Sequence, residues 1–139
     1  MIPRLFKTVP LLVALSLVSC REQGYLTKTC YWDNQNIQVD LKWSSTSAQT
    51  GRDERVDRTL CIATAHVANR YQDKGIEIHA LVLILLNKHE MELHSHSESL
   101  GLKIQPGESA DVQMRFWIPS GLAHDAKSLT AKLSHTIVP

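Results

Sequence analysis

The chain contains 139 residues, with 15 Lys and Arg residues against 14 Asp and Glu residues, and 43% of its residues are hydrophobic. That length fits one domain and leaves little room for a second. A net charge of +1 excludes the broad basic field of a nucleic-acid-binding protein, so no nucleic-acid partner is expected.

The first segment of the chain, residues 1–19, has the layout of a secretory signal peptide. Arg4 and Lys7 make its start cationic, and an apolar run follows over residues 8–18. This run is too short for a membrane-spanning helix, which needs about 20 residues. A cationic start followed by a short apolar run is typical of a signal that is removed from the mature protein.

The apolar run ends in Leu17-Val18-Ser19-Cys20. This tetrapeptide resembles the bacterial lipobox, which implies that Cys20 is acylated and becomes the first residue after cleavage. Residues 20–24 would then be a lipidated tether and residues 25–139 the folded domain. Arg21 follows, where inner-membrane lipoproteins tend to have Asp, so the resemblance implies an outer-membrane anchor with the domain facing the periplasm. The alternative is a buried N-terminal helix with a chance cysteine.

Two further cysteines, Cys30 and Cys61, agree with an oxidising compartment. An even number of cysteines in an exported protein favours a disulfide. A bond between them would close a loop of about 30 residues, worth roughly 3–4 kcal/mol in the chain-entropy model. Two buried, reduced thiols are the alternative.

Most of the mature chain has a two-residue hydrophobic period, which is typical of β-strands with one wet face. Val112, Met114, Phe116 and Ile118, for example, alternate with polar residues or Trp117. The predicted strands lie near residues 25–32, 36–43, 59–67, 76–86, 89–95, 99–104, 110–118 and 128–137. The polar segment 44–58 predicts a long exposed loop.

The apolar run at residues 76–86 predicts a central strand covered on both sides. In a regular strand, one face would hold Ile76, Ile78, Ala80, Val82, Ile84 and Leu86. Residues 52–71 are ambiguous, because their apolar spacing fits an amphipathic helix and residues 60–67 also fit a strand. The strand is favoured, which predicts an all-β, immunoglobulin-like antiparallel sandwich of about seven or eight strands. With the helix the fold would be α+β.

Three short motifs lie between residues 60 and 118. They are His66-Val67-Ala68-Asn69 before the central strand, Leu83-Ile84-Leu85-Leu86-Asn87 at its end, and Pro106-Gly107-Glu108-Ser109 before the next long strand. This series resembles the FxLYD-type immunoglobulin-like domains of secreted and lipid-anchored bacterial proteins. Leu83, Leu86 and Asn87 stand where that family has Phe, Tyr and Asp. The resemblance implies a sandwich fold and no catalytic residues.

A histidine-rich segment follows the central strand. It contains His89, Met91, Glu92, His94 and His96. In a strand, His94 and His96 point to the same side with Cα atoms about 6.5–7 Å apart, so both rings can reach one Cu or Zn ion. Glu92 or His124 could supply a third ligand. The alternative is a solvated outer strand face, for which no cofactor is expected.

Trp117 is the candidate contact residue for a protein partner. It falls on the outward side of its strand, and aromatic residues dominate the energetics of interfaces. Packing of this ring beneath a loop or against a sheet edge is the alternative. No enzyme is expected, because the sequence contains neither a G-x-S-x-G nucleophile turn nor a Gly-rich phosphate loop.

These features predict a lipid-anchored, non-catalytic protein of the periplasm. We expect it to bind the membrane through Cys20 and to bind or assemble an envelope component, such as a subunit of secretion, pilus or conjugation machinery. A periplasmic copper or zinc protein that uses His94 and His96 is the alternative function. A lipoprotein that merely coats the surface is a third.

Overall fold

The computed structural model describes residues 24–46 and 58–139. The elements are β1 (Gly24–Trp32), β2 (Ile37–Thr46), β3 (Arg58–Asn69), β4 (Gly75–Leu86), β5 (Glu92–Ile104), β6 (Ser109–Pro119), α1 (Ser120–Asp125) and β7 (Ser128–Val138). The predicted signal peptide, Cys20 and most of the predicted loop at residues 44–58 lie outside the described residues. Within them, no helix is long and apolar enough to cross a membrane.

The strands form two antiparallel sheets, one ordered β1-β2-β3-β6 and the other β5-β4-β7. The core lies between them, so the predicted all-β antiparallel sandwich is confirmed. A constant-type immunoglobulin domain has the same division into four and three strands, but its larger sheet contains its first, second, fifth and fourth strands. Here the larger sheet contains the first three strands and the sixth. The resemblance to FxLYD-type domains stays a prediction.

The ambiguous segment is a strand over residues 58–69, so the helical alternative is wrong there. Every second side chain of β3 is buried, beginning at Thr59 and ending at Asn69. β3 pairs with β2 on one side and with β6 on the other, and these ladders satisfy its backbone groups. Residues 52–57 lie outside the described part of the chain.

The predicted strands at residues 89–95 and 99–104 are one strand, β5, so their separation was wrong. Its pairing with β4 shifts register between Ile78 and Ala80, whose partners are Leu102 and Ser99. Two residues of β5 therefore lie opposite the single residue His79, which is the pattern of a β-bulge. Gly101 lies in this bulge, and a glycine inside a strand often marks one. The first predicted residues, 89–91, form the turn before β5.

The same irregularity changes which side of β4 faces the core. Ile76 and Ile78 point inward, but beyond the bulge the fully buried residues are Leu81, Leu83 and Leu85. The predicted face that continued through Ala80, Val82, Ile84 and Leu86 was therefore wrong after residue 78. A regular two-residue period cannot reveal this shift, because both sides of β4 are apolar beyond Leu81.

One end of the sandwich, here called the Gly24 end, is defined by the start of β1. The register of both sheets places at this end Gly24, Thr46, Arg58, the turn at residues 87–91 and the connection at residues 119–128. The backbone N–H of Lys127 donates to the carbonyl of Leu86 over 2.8 Å, which fixes the connection against the end of β4. The opposite end holds the turns at residues 33–36, 70–74 and 105–108.

The predicted disulfide between Cys30 and Cys61 is wrong, because both cysteines are free. They lie in one sheet, and the registers align Cys30 with Val39 and Val39 with Val67, six positions from Cys61. Ideal strand spacings then separate the two cysteines by about 10 Å across the sheet and about 20 Å along it. A disulfide requires Cα atoms within about 7 Å of each other.

Cys61 is expected to resist alkylation in the folded protein. Burial raises the pKa of its thiol to about 11, with a smaller opposing effect from Trp43. At pH about 8, only about one thiol in a thousand would be the reactive thiolate. Iodoacetamide should label Cys30, which is half-buried, before Cys61, and denaturant should make both react. Recovery of a crosslinked Cys30–Cys61 peptide by mass spectrometry would contradict this assignment.

The inward side of β4 can be tested with two truncations. Leu83→Ala should lower the free energy of unfolding by about 2–5 kcal/mol, because it leaves a cavity between the sheets. Val82→Ala, its outward-facing neighbour, should cost on the order of 1 kcal/mol. Urea denaturation with an unchanged m-value measures both. A larger loss for Val82→Ala would show that the shift at His79 is misplaced.

Candidate functional site

The outward side of the four-stranded sheet carries two rows of polar side chains. Cross-strand register forms one row from Thr29, Asp40, His66 and Asp111, and the next from Thr27, Lys42, Thr64 and Gln113. Here they are called the polar rows. They line a groove of about 620 Å³ that crosses all four strands. Neighbouring strands therefore assemble a polar surface that no single strand contains.

Hydrogen bonds hold several of these side chains in place. His66 Nδ1 lies 2.6 Å from Asp111 Oδ1, and the Thr29 hydroxyl donates to Asp40 Oδ1 over 2.7 Å. Gln38 Nε2 donates to the same carboxylate of Asp40 at 3.2 and 3.3 Å. The groove thus presents oriented donors and acceptors, which suit it to recognition of a polar surface.

Trp117 lies on the same outward face, nearer the Gly24 end. Its side chain is 46% exposed, which confirms the predicted outward orientation. It is paired across the strands with Leu60, and Ile62 and Arg115 form the adjacent pair. Leu60 and Ile62 are both partly exposed. Trp117, Leu60 and Ile62 form an apolar group beside the polar rows, here called the Trp117 patch.

His94 and His96 do not lie on a solvated outer face, so that alternative was wrong. They pair with Leu85 and Leu83, whose side chains face the core. Both imidazole rings stack on the ring of Phe116 in the opposite sheet, with centroid distances of 5.6 Å for His94 and 4.5 Å for His96. The two histidines therefore close the side of the sandwich where β5 lies over β6.

The surroundings of this stack affect the two rings differently. His96 Nε2 lies 2.8 Å from Glu98 Oε1. Desolvation lowers the pKa of His94, and the nearby His96 lowers it further, while Glu92 acts in the opposite direction. A lowered pKa favours the neutral form of the His94 ring, which suits a ring that packs between two sheets.

The predicted metal ligands are only partly brought together. His94 and His96 are neighbours, and Glu92 is exposed at the start of the same strand. His124 lies on α1, where it lines a separate pocket with His89. Over residues 24–46 and 58–139, no group of three or more His, Cys, Asp and Glu side chains is placed to hold a metal ion. The copper or zinc site stays a prediction.

No family model and no curated protein matches the chain. Among solved structures, the chain is similar to one described as the X-ray structure of Northeast Structural Genomics Consortium target SoR45. The two share 10% sequence identity, and the match covers 75% of this chain and 83% of that chain with a TM-score of 0.48. Nothing about function follows from this similarity.

Sequence reasoning missed the polar rows. His66 and Asp111 are 45 positions apart and become neighbours only through the pairing of β3 with β6. The polar half of each alternating strand was a visible signal for outward side chains. The residues that would lie opposite one another could not be identified without the register of four strands.

The partly buried position of His94 gives a pH-dependent prediction. Its pKa in the folded protein is below the ordinary value of 6.5, so the unfolded chain gains its proton first as the pH falls. The free energy of unfolding should therefore decrease as the pH falls from 6.5 towards the pKa of His94 in the folded protein. At higher pH, His94 should add nothing to the pH dependence of the free energy of unfolding. His94→Gln should make this decrease shallower in urea titrations.

His89→Gln is the matched control, because His89 is exposed in the turn before β5. It should leave the pH dependence of the wild-type protein unchanged. Equal slopes for the wild-type protein and His94→Gln would contradict the assignment of this effect to His94.

Proposed function

We propose that this protein is a lipid-anchored periplasmic β-sandwich that binds and helps assemble another envelope component without catalysing a reaction. Subunits of secretion, pilus or conjugation machinery are the partner class. The exposure of Trp117 on the outward face of the four-stranded sheet carries this proposal. The resemblance of Leu17-Val18-Ser19-Cys20 to a lipobox supports the anchor, and Arg21 supports the outer membrane.

The Trp117 patch has the composition of an interface centre. A large aromatic ring flanked by partly exposed aliphatic side chains can be desolvated by a partner, and such residues contribute most of the binding energy. The polar rows lie beside this patch, where they would serve as a hydrogen-bonding rim. The partner therefore presents an apolar depression for the indole ring and polar groups for the groove.

The lipid contributes by confining the domain to a membrane. Acyl chains gain about 0.8 kcal/mol for each buried CH₂ group, so two or more chains hold a protein stably. Confinement raises the effective concentration of the sandwich near a partner in the same membrane. A moderate affinity at the Trp117 patch would then suffice for assembly.

The proposal is tested by crosslinking in intact cells. A photoreactive amino acid at position 117 should trap a discrete envelope protein, because this side chain would lie in the interface. The same amino acid at position 132 is the control, since Lys132 is exposed on the outward face of the other sheet. Mass spectrometry identifies the product.

The anchor is tested in the same cells. Cys20→Ser should abolish acylation and reduce the position-117 crosslink by about ten-fold or more, because tethering no longer raises the local concentration. Cys30→Ser is the matched control and should retain both. Equal crosslinking at positions 117 and 132, or an unmodified chain that begins at Met1, would overturn the proposal.

A further inference from the structure

The Gly24 end is the part of the sandwich closest to the proposed lipid. Cys20 precedes Gly24 by four positions, so the two Cα atoms can be no more than about 14 Å apart in any conformation. This inference rests on the proposed acylation of Cys20. With such a short connection, the Gly24 end faces the membrane surface and the opposite end projects away from it.

A pocket at this end is rich in basic side chains. It is lined by Asn87, Lys88, His89, His124, Asp125 and Lys127 and has a volume of about 370 Å³. Two lysines and two histidines thus surround it together with one carboxylate. Lys88, His89, His124 and Lys127 are all exposed, so their side chains are accessible to a ligand at the membrane surface.

The backbone around the pocket is held in place. The Asn87 side-chain oxygen accepts hydrogen bonds from the backbone N–H groups of His89 and Met91, at 2.8 and 3.0 Å. Glu90 between them has a left-handed φ of 63°. The bond from Lys127 to Leu86 joins the second loop to the same strand end. Both lysines therefore extend from fixed positions on adjacent loops.

Two exposed apolar or amphipathic side chains accompany the basic ones. Met91 is 59% exposed at the tip of the turn. Tyr25 is 62% exposed one residue after Gly24, and Lys42 Nζ of the polar rows lies 4.6 Å from its ring centroid. Tyrosine favours the boundary between headgroups and acyl chains, and a flexible thioether can enter it. Tyr31 and Val138, which are also exposed, lie at the opposite end.

The acidic groups at this end limit where an anion can bind. Glu90 and Glu92 lie on the β5 side of the turn, and Asp125 lines the pocket itself. Arg58 adds a positive charge at the start of β3. Within the pocket lining, the two lysines outnumber the one carboxylate of Asp125, so an anion would bind there.

We propose that the Gly24 end binds the headgroups of anionic phospholipids, with Lys88 and Lys127 contacting phosphate and Met91 entering the interface beside them. Free phosphate offers the same chemistry. The lipid is the assigned source because the short tether keeps this pocket at a phospholipid surface. The contact fixes the orientation of the domain at the membrane. The Trp117 patch and the polar rows then face sideways, towards other molecules at the same membrane.

The test uses the mature lipidated protein, purified from membranes and reconstituted in vesicles. Amide hydrogen exchange is compared in phosphatidylcholine alone and in phosphatidylcholine mixed with phosphatidylglycerol. Exchange in residues 87–91 and 120–127 should slow by about five-fold or more in the anionic vesicles, since each lysine near such a surface contributes roughly a five-fold preference. High salt should reverse the effect.

Two double variants and one ligand control make the test specific. Lys88→Glu with Lys127→Glu should abolish the difference between the two lipids. Lys74→Glu with Lys103→Glu changes charge equally at the opposite end and should preserve it. Inorganic phosphate added to phosphatidylcholine vesicles should give no protection. Protection by phosphate alone, or protection that survives Lys88→Glu with Lys127→Glu, would overturn the proposal.

Absence of the proposed acylation can be distinguished from absence of the headgroup site. Mass spectrometry of the purified protein reports acylation of Cys20 before reconstitution. If the protein is acylated and the two loops exchange equally in both lipids, the headgroup site is wrong and the proposed function stands. If acylation is absent, the anchor fails, and co-sedimentation of the purified protein with anionic vesicles decides the headgroup site alone.

Discussion

The structure depends on the register with which its antiparallel strands pair. β2, β3 and β4 each have a neighbouring strand on both sides in the described chain, and each packs side chains of one face between the sheets. The registers around β3 place His66 beside Asp111 and Leu60 beside Trp117, while those around β4 turn His94 and His96 toward Phe116. The register of the strands therefore determines both the packing of the core and the arrangement of side chains on the surface.

The arrangement separates the molecule into surfaces with different chemistry. The inward faces are mostly apolar, and their polar side chains are Thr59, Asn69 and the histidine stack that closes one side of the sandwich. The outward face of the larger sheet combines the Trp117 patch with the polar rows, and the Gly24 end combines lysines with Met91. A contact between that end and a membrane would leave the outward face pointing sideways, where a second membrane-bound protein can reach it.

Much of the fold was predictable because hydrophobic alternation has the period of a strand. Residues 110–118 and 128–137 were correctly predicted as strands with one buried face, and Trp117 was correctly placed outward. The disulfide could not be judged from the number of cysteines, because Cys30 and Cys61 are separated by their positions in one sheet. The inward orientation of His94 and His96 could not be predicted either, because it depends on their pairing with Leu85 and Leu83 of β4.

The β-bulge that contains Gly101 and lies opposite His79 limits how this sequence can change. Losing or gaining one residue near His79 would exchange the two sides of every later residue in β4, so leucines now shielded by the opposing sheet would meet solvent. A compensating change in β5 and in β7 would be needed at once, because both flank that strand. Insertions and deletions in related sequences should therefore occur in the connections between strands and be rare in the middle of the smaller sheet.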